Sequence, residues 1–162
     1  MTDDDERDRL RAAMQGSGIS GPGGGAVMEG IPFCREIGMR LHSAKDSVAL
    51  LSVPYDERLV GDPQTGVMQG GVITALLDTA CGSAVMAAPA RLRSTATLDL
   101  RIDYMRPAQP GKTVMARAEC YRMTRTIGFA RAVAYHDAPE DPIASAAATF
   151  ILDRVAAEAG DD

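Results

Sequence analysis

The chain has 162 residues, of which 46% are hydrophobic, 24% charged and 4% aromatic, with no tryptophan and a formal net charge of -5. That length fits one domain with a core of its own. The acidic balance and the scarcity of rings argue against a nucleic-acid binder and against a surface for anionic lipid.

Three cysteines, Cys34, Cys81 and Cys120, are widely spaced and odd in number, which is neither a disulfide framework nor a zinc pattern. A reducing cytoplasm is the expected location. His42 and His136 lie too far apart in sequence to suggest a metal site built on histidine, and no metal is expected.

The chain opens on acids, Asp3-Asp4-Asp5-Glu6, with no basic start followed by an apolar stretch, so no secretory signal is expected. Residues 16–25 read GSGISGPGGG, a flexible linker. The expected organisation is an acidic segment and linker over 1–26, one folded domain over 27–153 and a tail over 154–162.

Glu36 to Ser43 and Asp46 to Pro54 read as two strands around a polar turn at Ala44-Lys45-Asp46, followed by a long loop from Tyr55 to Gly71. The next stretch, Gly71 to Ala88, predicts a buried apolar helix. It is shorter than a membrane span of ~20 residues and carries Asp78 at its middle. Thr95 to Met105 alternates polar and apolar residues with period two, the mark of a half-exposed strand. Lys112 to Met123, Ile127 to His136 and Pro142 to Leu152 predict three further strands with short turns between them. One long helix among five or six strands points to an α+β fold, an antiparallel sheet covering that helix.

Gly66-Val67-Met68-Gln69-Gly70-Gly71-Val72, leading into Asp78, is the segment richest in chemistry. The first N–H groups of a helix have no intrahelical partner and carry the positive end of its dipole. Glycine there lets a ligand come close to the backbone, so a carbonyl oxygen gaining negative charge could be held. Asp78 lies about two turns further on, on the same face as Gly71 and ~10 Å along the axis. A carboxylate beside the apolar stripe of Val72, Leu76, Ala80 and Ala84 is costly without a partner. The residues alone leave Asp78 equally open to a structural role. Cys81 has no obvious base beside it and reads as packing, the methionines read as core filling, and His136 reads as a surface residue.

The segment resembles the signature of the PaaI-like thioesterases of hotdog fold, a loop ending in His-Gly-Gly before a helix that carries an aspartate. The similarity continues through Thr97-Leu98-Asp99-Leu100-Arg101-Ile102-Asp103-Tyr104-Met105-Arg106-Pro107-Ala108 and spans roughly residues 31–153. It implies an antiparallel sheet of five to six strands wrapped around one long helix. It also implies hydrolysis of acyl-CoA thioesters in a site shared between two protomers, the protein working as a homodimer or dimer of dimers. By the same resemblance Asp78 is the general base or nucleophile, Gly71 gives the N–H that polarises the thioester carbonyl, and Thr97 helps position the water. Two positions depart from the pattern: Gln69 stands in place of the usual His and Asp62 in place of Asn. Gln69 can position but cannot change charge near neutral pH. Asp62 near Asp78 is expected to raise the pKa of one of the two.

From Pro89 to Arg131 nine bases face three acids in a chain of negative net charge. Arg91, Arg93, Arg122 and Arg125 are the candidates for the phosphates of coenzyme A, which enters as part of the substrate rather than as a cofactor. A second reading is a dimeric hotdog protein that binds an acyl ligand without cleaving it. A hydratase on this fold would need a histidine beside the carboxylate, and the segment has none.

Overall fold

The computed structural model describes residues 19–20, 28, 30–90 and 92–154. Among the described residues, nine strands and two α-helices with described bounds follow in chain order. Strand β1 is Ile19–Ser20, helix α1 Pro32–Glu36, β2 Arg40–Lys45, β3 Val48–Val53, β4 Val60–Asp62 and β5 Val67–Met68. Helix α2 is Gly70–Met86, and β6 Leu92–Tyr104, β7 Val114–Met123, β8 Ile127–Tyr135 and β9 Ala144–Arg154 complete the fold. Seven strands form one antiparallel sheet in the order β1-β2-β3-β7-β8-β9-β6, while β4 and β5 make a separate two-stranded ribbon. This is the α+β hotdog arrangement, with α2 cradled by the sheet. The strand beyond the expected six is the two-residue β1, inside the stretch expected to be linker; the remainder of 1–26 falls outside the described residues.

The α2 sequence buries Ile73, Leu76, Leu77, Ala80, Cys81, Ala84 and Val85, the three-and-four spacing of one helix face. The sheet meets it with small residues. Ala116 and Ala118 of β7, Ala130, Ala132 and Ala134 of β8, and Ala144, Ala146 and Ala148 of β9 are all buried. Large side chains on the helix against an alanine floor let the two layers approach closely at interior packing density. Gly128 takes this furthest, since a Cβ there would stand 3.1 Å from Val85 Cγ1.

Several boundaries differ from expectation for local reasons. Pro32 begins a short helix that runs through Glu36, because proline is preorganised for a first helical turn, so the strand expected from Glu36 starts only at Arg40. The β2–β3 turn sits at Asp46-Ser47, both with positive φ (51° and 67°), the geometry that matches strand twist in a two-residue hairpin. The expected loop Tyr55–Gly71 holds the β4–β5 ribbon, which is tied to the start of α2 by the bond from Gln69 N to Leu59 O at 2.8 Å.

Strand β6 departs most from its pattern. Its apolar face, expected to be covered, buries only Leu100 and Ile102 in part; Ala96, Leu98 and Tyr104 are exposed. β6 is the last strand of the sheet, paired with β9 alone. A bulge between Thr97 and Asp99 also shifts its register. No described helix is long and apolar enough to cross a membrane.

His136, expected at the surface, is buried. Its Nε2 accepts from Gln109 N at 2.9 Å and its Nδ1 lies 2.8 Å from Thr113 O, so one ring stitches the β6–β7 crossover to the end of β8. Replacing it by alanine, His136→Ala, strands both backbone groups and is expected to cost about 1–3 kcal/mol. Urea unfolding at neutral pH measures the loss, and an unchanged midpoint would contradict it.

Candidate active site

Helix α2 leaves one stripe outside the sheet's embrace. Gly71 is exposed, while Thr74, Ala75, Asp78 and Gly82 are half-buried along it. β6 runs beside this stripe. The Thr97 hydroxyl on β6 donates to Asp78 Oδ1 at 2.9 Å, which joins two residues nineteen positions apart in sequence. That bond gives the half-buried carboxylate the partner its place beside an apolar core demands.

At the helix start, Gln69 is the N-cap. Its backbone is extended and its side-chain Oε1 accepts from Gly71 N–H. The cap satisfies one of the orphan donors that open a helix. At Gly61 of β4 a side chain would press within 3.0 Å of Gln69 Cα, so glycine lets the ribbon hold the capping residue in place. The Gly71 amide, expected as an oxyanion donor, is therefore engaged by the residue that stands in place of the family's histidine.

Asp62 is taken up by its own turn. Its carboxylate accepts from Gln64 N at 3.0 Å and Thr65 Oγ1 at 2.8 Å. Those bonds, the Gln64 amide foremost, hold its pKa below the usual carboxylate range, the reverse of the rise expected from a neighbouring Asp78. The Cys81 thiol is pushed up to about 12, by burial first and then by the nearby Asp78 charge, which leaves it packed and unreactive.

Among the expected phosphate-binding arginines, Arg122 lines a cleft of about 330 Å³ with Ser47, Cys120 and the Ala88–Ala90 end of the helix. Arg125 is exposed in the β7–β8 turn, and Arg91 and the Arg93 side chain fall outside the described residues. Two residues not singled out from the sequence join the site: Tyr104 and Thr74, whose hydroxyls gather at the Gly70 carbonyl. In the alternating pattern of β6 Tyr104 read as one more apolar position, and its hydroxyl gave no separate signal.

The Asp62 turn carries a pH signature. Folded Asp62 has a depressed pKa, so its turn adds stability above the ordinary carboxylate range and loses it as pH falls through the lowered value. Asp62→Ala is expected to unfold at a lower temperature than the native chain near neutral pH, with the gap closing toward about pH 3. A gap that stays constant with pH would contradict this.

Comparison with known proteins identifies the family and the fold. The thioesterase superfamily profile matches residues 65–143. The medium/long-chain acyl-CoA thioesterase YigI of Escherichia coli K12 is 30% identical over 135 residues, covering 75% of this chain and 86% of YigI. A Pseudomonas aeruginosa protein of known crystal structure is 35% identical with a TM-score of 0.70, covering 90% of this chain and 98% of that one. The PaaI protein of the E. coli phenylacetic acid degradation operon shares the fold, with a TM-score of 0.69 at 18% identity over 81% of this chain and 89% of PaaI. On the sequence matches and on the fold together, the chain belongs to the thioesterase superfamily and is a thioester hydrolase of hotdog fold.

Proposed function

We propose that this chain hydrolyses acyl-CoA thioesters in a site completed by a second copy of itself, with Asp78 from one protomer and the Gly71 amide from the other. The observation that carries the reading is the Thr97–Asp78 bond. It orients a carboxylate on the open stripe of α2, beside a sheet edge that has no further strand. Within one helix Asp78 and Gly71 stand ~10 Å apart, too far to act on one carbonyl. A two-fold axis beside β6 would bring each to the other's partner, because an antiparallel strand pair is compatible with that symmetry and each contact then occurs twice. Among the described residues the thirteen-residue β6 pairs with β9 alone, and it exposes Leu98 and Tyr104, with Met105 exposed just beyond, the features of an edge suited to a partner.

The chemistry follows from those groups. The thioester oxygen displaces the Gln69 carboxamide and takes the Gly71 N–H, which sits at the positive end of the α2 dipole. Asp78, held by Thr97, accepts a proton from a water as its oxygen bonds to the acyl carbon. The negative charge that develops on the carbonyl oxygen is met by the amide. As the intermediate collapses, the carbon–sulfur bond breaks, and the coenzyme A sulfur leaves with the proton held by Asp78. Gln69 stays neutral through the cycle and serves to position.

The coenzyme's nucleotide is assigned to the Arg122 cleft. The cleft lies just past the end of α2, which ends ~12 Å beyond Asp78 at the helical rise, with Arg125 nearby in sequence. Arginine forks suit its phosphates.

The test is thiol release over short, medium, long and aromatic acyl-CoAs, beginning with the medium and long chains that YigI's name suggests. Asp78→Asn keeps the shape and is expected to lower kcat by about 10². Native-like turnover in that variant would remove Asp78 from its role.

A further inference from the structure

Gly70 C=O and Gly71 N–H are the two ends of one peptide group, and resonance joins them. A regular helix asks the Gly70 oxygen to accept only the amide of residue 74. Here two hydroxyls converge on it as well. Tyr104 Oη donates to it at 2.8 Å, and Thr74 Oγ1 stands 3.2 Å from it. The two hydroxyls are 2.7 Å from each other. The tyrosine ring lies against the glycine itself: a Cβ at Gly70 would meet Tyr104 Oη, Cε1 and Cζ at 3.6, 3.8 and 3.8 Å.

We propose that Tyr104, backed by Thr74, is a positioning residue that strengthens the Gly71 amide as a hydrogen-bond donor by polarising the peptide from its carbonyl end. This rests on the reading of Gly71 as the oxyanion donor. Each hydroxyl has one proton, so two of the three contacts can be donated at a time. The two shortest form a chain in which Thr74 donates to Tyr104 and Tyr104 donates to the Gly70 oxygen. A phenol is the more acidic hydroxyl and the better donor, and bonds in series polarise one another. Electron density drawn toward the oxygen leaves the N–H more positive. That matters most when the thioester oxygen carries its developing charge, so the gain falls on the transition state rather than on substrate binding.

Thr74 is already within reach of the same oxygen, so it can replace Tyr104 as the donor. Tyr104→Phe is therefore expected to lower kcat only about threefold, and Thr74→Val by less, because one hydroxyl remains in each. Together, Tyr104→Phe with Thr74→Val removes both and is expected to lower kcat by about 10–30-fold, more than the product of the two, with KM within about twofold of native. Thr74→Ser beside Tyr104→Phe should recover most of the loss. Additive effects, or a loss carried by KM with kcat unchanged, would overturn the proposal.

A second readout stands apart from activity. In the ligand-free full-length chain labelled with ¹⁵N, the Gly71 amide resonance should move upfield in nitrogen in Tyr104→Phe and further in the double variant. An unmoved Gly71 signal would overturn the polarisation even where thiol release is intact. Native thiol release retained in Asp78→Asn, together with a Gly71 signal that does move, would instead place the failure in the assigned mechanism.

Discussion

The site exists because the sheet stops. Strand β6 ends it beside α2, and Thr97 on that last strand reaches the helix at Asp78, while among the described residues no strand beyond β6 closes over the stripe from Gly71 to Gly82. One more strand would bury Asp78 and force it to find an ion partner or give up its charge. One fewer would remove Thr97 and leave the carboxylate unoriented. The same edge leaves a long run of backbone hydrogen-bonding groups and three large side chains, Leu98, Tyr104 and Met105, exposed to solvent. On the proposed two-protomer site, the feature that opens the stripe is also the one a second copy would cover, so assembly and chemistry would be coupled.

Stability and reactivity meet at the start of α2. Gln69 caps the helix through Gly71 N–H, with the β4–β5 ribbon pressing on it at Gly61 and tying it through Leu59. A cap of this kind steadies a helix by about 1 kcal/mol. It also occupies the amide that the proposed mechanism gives to the thioester oxygen, so on that mechanism substrate competes with the protein's own side chain. A histidine at that position would carry a charge that varies with pH; glutamine makes the competition independent of pH in the neutral range. The Tyr104–Thr74 pair works on the opposite end of the same peptide and keeps it polarised whether Gln69 or a substrate holds the N–H.

The sequence carried the strong periodicities well. The apolar run of α2 and the three strand segments that became β7, β8 and β9 survive into the structure with ends shifted by a few residues. Asp78 and Thr97 were singled out through resemblance, and their contact was not, since no local pattern joins residues on a helix and on the next strand. What stayed hidden had physical reasons. β6 alternates like a covered strand, yet the described residues cover its apolar face only in part. His136 offered no sign in sequence that two backbone groups, Gln109 N and Thr113 O, would converge on its ring. Asp62 was read by its charge, whereas the backbone turn through Gln64 and Thr65 decides its state. Tyr104 and Thr74 come together only when β6 crosses the start of α2, thirty positions apart in sequence.

Subunit complementation tests most directly whether two protomers share each site. Asp78→Asn removes the base, and Gly71→Pro removes the N–H at a helical first turn where proline is tolerated. Each homodimer alone is expected to be nearly inactive. Unfolded together, refolded and allowed to pair at random, the two should recover about a quarter of native thiol release, because half the dimers are mixed and each mixed dimer holds one intact site. A mixture no more active than its parents, with mixed dimers shown to form, would contradict a site built from Asp78 of one protomer and Gly71 of the other.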